Sequence, residues 1–217
     1  MKFRRKSAET PVEGQTSEAS GTAAVPGQAT GTGPETTAGP FDESQVADDG
    51  VQRVDLGSLL VPPLPGRELR LQVDEKSGAV RAVILAGPDG MLEFQAFAAP
   101  RNGDLWSTVR PQIAADMVRR GGTAEEREGR WGTELVCQMP VTRPDGTAAN
   151  QPSRIIGVNG ERWLLRASLL GRPAVEPEAS GEWEDTLAQI VVRRGTVAMP
   201  VGEVLPVALP DDARRLG

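Results

Sequence analysis

The chain has 217 residues, 38% of them hydrophobic and 4% aromatic, and carries a net charge of −6 from 24 basic and 30 acidic side chains. It contains no histidine and one cysteine, which excludes Ser-His-Asp and Cys-His catalysis, His-ligated metal centres and internal disulfides from this chain. The acidic balance argues against indiscriminate nucleic-acid binding, and no stretch reaches the roughly 18 apolar residues of a membrane span.

Nearly half of residues 1–39 are Gly, Pro, Ser or Thr, and Phe3 is their only aromatic side chain. Such a stretch cannot bury enough apolar surface to offset ordering entropy, so 1–39 reads as a disordered tail. The basic start, Lys2 to Lys6, has no apolar run behind it and does not read as a secretory signal. With one cysteine, a reduced cytoplasmic setting is expected.

A single domain is expected over 40–210, followed by a frayed end at 211–217. Gly39–Ser44 and Val54–Pro63 form a lead-in anchored by Phe41, Leu56, Leu59 and Leu60. Leu69, Leu71 and Val73 alternate with polar residues, Ala79–Leu85 is more continuously apolar, and Met91–Ala98 alternates again. Turns at Lys76-Ser77-Gly78 and Gly87-Pro88-Asp89-Gly90 separate them, which predicts an antiparallel meander.

Asp104 is placed to cap a helix over Leu105–Arg120, with a kink at Pro111 and a stop at Gly121-Gly122. Glu125–Arg130 reads as a charged approach to a strand over Trp131–Met139. Asn159-Gly160, between Arg154–Val158 and Arg162–Leu170, predicts a type I′ hairpin turn. Ser180 can cap a second helix from Glu182, whose end is open because Ile190–Val192 also suits a strand. Val197–Met199 and Leu205–Leu209 suit an edge strand. The order βββ-α-βββ-α-β predicts an α+β domain: a mostly antiparallel sheet with two helices packed on it.

The segments G-P-F-D-E (39–43), V-D-L-G-S-L (54–59), Q-A-F-A-A-P-R (95–101) and G-V-N-G-E-R-W-L-L-R (157–166) resemble an actinobacterial family of unknown function, number 3710. Glu161 stands where the family pattern has Pro before Arg-Trp. The resemblance implies an intracellular actinobacterial protein and supplies no catalytic residues. The element order also looks like the PsbP-like fold, a likeness of architecture only.

No P-loop is present, and Lys76 lies in a turn, away from any site for Schiff-base chemistry. Cys137, on the apolar face of a strand, reads as a core thiol. The acidic residues Asp42, Glu43, Asp48, Asp49, Glu125, Glu126 and Glu128 could serve a carboxylate-dependent, metal-assisted hydrolase, yet none has calcium-loop spacing. No metal, cofactor or catalytic residue is assigned. The binding candidates are Arg101, Arg154, Arg162, Arg166 and Trp163. Arg162 and Arg166 would share one sheet face with Leu164, opposite Trp163 and Leu165.

Three readings follow. One is a non-enzymatic cytoplasmic accessory protein that presents the Arg-bearing face to a partner protein. The second is a nucleic-acid or nucleotide binder with Trp stacking, and the third is the hydrolase. The Arg side could also be an ordinary solvated face paired with Glu.

Overall fold

The computed structural model describes residues 39–46, 49–101 and 103–208. The tail read at 1–39, Gly39 apart, and the end at 211–217 lie outside the described residues. The chain opens with β1 (Phe41–Asp42), a 3-10 turn at Glu43–Gln45, β2 (Val54–Asp55) and β3 (Leu59–Val61). The meander is β4 (Glu68–Val73), β5 (Val80–Ala86) and β6 (Gly90–Ala98). Helix α1 (Leu105–Arg119) leads to β7 (Thr123–Gly129), β8 (Gly132–Thr142), β9 (Ala148–Asn159) and β10 (Trp163–Gly171). One-turn α2 (Arg172–Val175), α3 (Pro177–Ala188) and β11 (Val191–Val192) close the described elements.

The long strands form one antiparallel sheet in the order β4-β5-β6-β10-β9-β8-β7, and the short ones a second sheet, β1-β11-β3-β2, in which β1 and β11 run parallel. The domain is therefore α+β and mostly antiparallel, with three α-helices among the described residues rather than two. None of the helices is long and apolar enough to cross a membrane.

Strand alternation gives the large sheet two different faces. Leu85, Leu92, Phe94, Leu165 and Leu169 point to one side, where Leu56, Leu59, Trp183, Leu187 and Val192 complete the main core. Leu135, Cys137, Ile155 and Leu164 point to the other, against Leu105 and Trp106 of α1. Helix α1 packs on β7, β8 and β9, so the same face of β10 and β6 borders it from the side.

Four local expectations change. Glu125 and its charged neighbours are part of an edge strand, β7, because pairing with β8 supplies the stability that their composition hides. Charge on both faces of such a strand also blocks pairing with another chain. The second helix starts at Pro177, and Ser180 lies within it, donating from Oγ to the Pro177 carbonyl at 2.9 Å. It ends before a strand at 191–192, which settles the ambiguity at Ile190–Val192. Among the described residues towards the C-terminus there is no edge strand, only isolated bridges through Val204 and Val207.

The fourth concerns the hairpin. β9 and β10 do pair, but Gly160 N–H donates to the Trp163 carbonyl at 2.8 Å, which puts Glu161 and Arg162 at the tip. Gly160 is not in the positive-φ region; it is small because a Cβ there would enter the Trp163 indole. Asn159 serves α1 instead. Its Oδ1 accepts from Trp106 N–H at 3.1 Å, and its Nδ2 donates to Asp104 Oδ1 at 2.7 Å.

Candidate functional site

β10 is the middle strand of the large sheet, and its alternation decides where its arginine goes. Leu165, Ala167 and Leu169 fill the main core, so Leu164, Arg166 and Ser168 must face α1. Trp106 fixes the start of that helix: its ring lies over Gly157, where a Cβ would collide, and its Nε1 donates to the Thr133 carbonyl at 2.7 Å. The helix is held along β7–β9, and a groove of about 720 Å³ remains between its flank and the strands, lined by Arg166 and by residues such as Val109, Ile113, Ile155 and Leu164.

Arg166 Nη2 donates to Gln95 Oε1 on β6, and the guanidinium lies 5.2 Å from the Phe97 ring centre. Burial pushes the Arg166 pKa below its ordinary value, and the charge of Glu93 works in the opposite direction. Among the described residues Arg166 forms no ion pair. The groove's lining is mixed: apolar side chains stand beside Glu93, Asp116, Arg119 and Arg120. A half-buried guanidinium without an ion pair of its own can still take up an anion, since a desolvated charge is costly until it is paired.

Residues 39–215 match the proteins of unknown function grouped as DUF3710. The chain belongs to this family. The DUF3710 chain is also 28% identical over 186 residues to protein-glutamate methylesterase/protein-glutamine glutaminase 3 of Myxococcus xanthus, covering 78% of this chain and 52% of that protein. It thus spans about half the length of that curated relative. Among solved structures, a protein from Bacteroides thetaiotaomicron has a TM-score of 0.39 at 13% identity, covering 66% of this chain and 48% of the other. Cyanobacterial PsbP from Synechocystis sp. PCC 6803 has a TM-score of 0.37 at 14% identity, covering 65% and 92%.

The DUF3710 fold does not gather the five predicted binding residues. Arg154 lies on the opposite face from Arg166, where its Nε and Nη2 donate to the two Glu134 oxygens at 3.0 and 2.9 Å and Nη2 also pairs with Glu184 at 2.9 Å. Burial works against its charge, but Glu134 and Glu184 outweigh it and raise the pKa. Arg127 adds a second guanidinium to Glu134 at 2.5 Å, so this buried cluster ties α3 to β7, β8 and β9.

Trp163 is 2% exposed, packed in the main core, with Nε1 donating to Asp42 Oδ2 at 3.0 Å. It therefore offers no face to a base, and neither does Trp106 at 4% exposure, whereas Trp131 is half-buried. Arg162 sits in the hairpin tip rather than on the strand beside Arg166, and Arg101 is exposed in the loop before α1. Of the five, Arg166 alone lines the groove, together with Arg119 and Arg120 of the helix end.

Sequence reasoning missed the groove's other wall. Gln112 and Met117 lie on α1, and Met139 and Gln151 come from β8 and β9; nothing in their spacing connects them. Cys137 is fully buried and its thiol pKa is pushed up by burial, which matches a core thiol. Among the described residues no three Cys, Asp or Glu side chains converge to hold a metal ion.

Proposed function

We propose that the DUF3710 domain is a non-catalytic accessory module of the cytoplasm that engages a partner protein through the groove beside α1. The observation that carries this reading is Arg166, a half-buried cation without an ion pair among the described residues, set in a groove that also has apolar walls. The groove's volume falls in the ordinary range of ligand-binding clefts, about 300–1,000 Å³. Apolar walls combined with charged side chains suit recognition: burial provides affinity and charge provides register.

The name of the Myxococcus relative carries hydrolytic activities. A hydrolase that activates its nucleophile with imidazole finds no histidine in this chain, so that chemistry is not transferred. A single cysteine, buried and with its pKa raised, fits a protein that works without disulfides in a reducing compartment.

The test is site-specific photo-crosslinking in cells from the exposed groove position Gln112, with the exposed turn residue Lys76 as control. Crosslinking from 112 should give one discrete protein adduct that Lys76 does not give. Arg166→Gln should remove it while leaving the thermal midpoint nearly unchanged. An adduct that persists in Arg166→Gln places recognition elsewhere.

A further inference from the structure

The identity of the charged group that the groove accepts can be argued from the charges around it; this inference rests on the groove being the binding site. At the rim, Asp116 already holds two arginines, Arg119 at 2.9 Å and Arg120 at 3.9 Å. Glu93 lines the same groove close enough to Arg166 to act on its charge. The lining thus holds three guanidiniums, of Arg119, Arg120 and Arg166, against two carboxylates, of Glu93 and Asp116, which leaves one positive charge. One added negative charge is balanced there and a second is not.

The donors agree with this. Among the described residues only Nη2 of Arg166 has a hydrogen-bond partner, Gln95, and neither Nε nor Nη1 is among the sealed, unpartnered atoms. The remaining edge of the fork can still face the groove, and a guanidinium edge matches a planar carboxylate. Around it Phe97, Ile155, Leu164 and Leu170 are apolar, and Met117 and Met139 supply adaptable surface.

We propose that the groove takes an acidic–apolar segment of the partner protein, with one Asp or Glu carboxylate on Arg166 and apolar residues on either side of it, and that it discriminates against phosphate dianions. The charge complementarity is local. The chain's net charge of −6 would repel an acidic partner at long range, so the apolar flanks must contribute to capture.

The experiment uses the full chain with Gln112→Cys carrying an environment-sensitive dye; labelling is selective because Cys137, the only native thiol, is fully buried. Octanoate, octanol and octyl phosphate are titrated, together with acetyl-Leu-Leu-Glu-Leu-Leu-amide and its Glu→Gln counterpart. Octanoate and the Glu peptide should bind about tenfold or more tighter than octanol and the Gln peptide, the scale of a charge-assisted hydrogen bond. Octyl phosphate should bind more weakly than octanoate, and Glu93→Gln should narrow that gap.

Arg166→Gln should bring the octanoate-to-octanol ratio close to one while octanol binding, which reports an intact groove, stays the same. Arg166→Lys, which keeps the charge without the fork, should retain part of the ratio. Octyl phosphate binding as tightly as octanoate, or a ratio that survives Arg166→Gln, overturns the inference. So does octanoate binding with no Glu-peptide binding, which would make a free alkyl acid the occupant. Crosslinking from position 112 reports where the partner sits and these titrations report what the site accepts, so either can fail without the other.

Discussion

At the residue scale, individual side chains in this domain are held by partners from distant parts of the chain. Glu134 accepts from Arg127 and Arg154, and its side chain is only 2% exposed. Removing it leaves Arg154 buried with Glu184 alone, so Glu134→Ala should cost about 3–5 kcal/mol in urea unfolding. A loss under about 1 kcal/mol would mean that the network relaxes.

Gly160 is predicted to be intolerant for a steric reason. Gly160→Ala places a methyl in the Trp163 ring and should destabilise by about 1–3 kcal/mol, whereas Gly146, at φ 83° with open space around it, is limited only by backbone strain. Asp74 gives a test by pH. The Ser77 backbone N–H and hydroxyl, at 2.9 and 2.8 Å, and Arg81 lower its pKa from 3.8 to about 2. A depressed carboxyl contributes stability above its unfolded pKa and loses it as pH falls towards the folded one. The Asp74 resonance should therefore titrate near pH 2, and Asp74→Asn should remove that part of the stability loss between about pH 4 and 2.

At the element scale, α1 shows which signals are local enough to read. Asp104 accepts from Ser107 N–H at 2.9 Å, as a capping residue should. At the other end Gly121, at φ 84°, donates to the Val118 carbonyl and Gly122 donates to that of Met117, closing the helix as a Schellman motif. Pro111 lies inside the helix and is exposed, so it removes a backbone bond without filling the core. Pro111→Ala should stabilise by about 1–3 kcal/mol by thermal unfolding. An unchanged midpoint would show that the helix already accommodates the ring. β7 shows the opposite case. Its composition is that of a loop, and its structure depends on β8, which no reading of 123–129 alone could supply.

At the scale of the whole molecule, the large sheet is the shared wall of two apolar clusters. Leu164 and Leu165 are adjacent in sequence yet belong to different clusters, on opposite faces. Truncating either should cost about 2–5 kcal/mol, and near- and far-UV circular dichroism should report one coincident transition in both variants, because each face needs the other's strands in place. Separate transitions would show that the faces unfold independently. The groove follows from the same layering: α1 covers one half of its face and leaves Arg166 at the border.

The sequence by itself determined the meander, the cap and stop of α1, the existence of the β9–β10 hairpin, the core character of Cys137 and the absence of imidazole chemistry. These depend on residues within a turn or two of one another, or on composition, and local patterns carry that information. Only the tertiary structure decided that Arg154 is a buried tie, that Trp163 is core and that Arg166 lines a groove without an ion pair. An arginine looks the same in sequence whether it meets Glu134 or open space; the difference depends on which strand lies beside it and which helix lies above, and both come from distant segments.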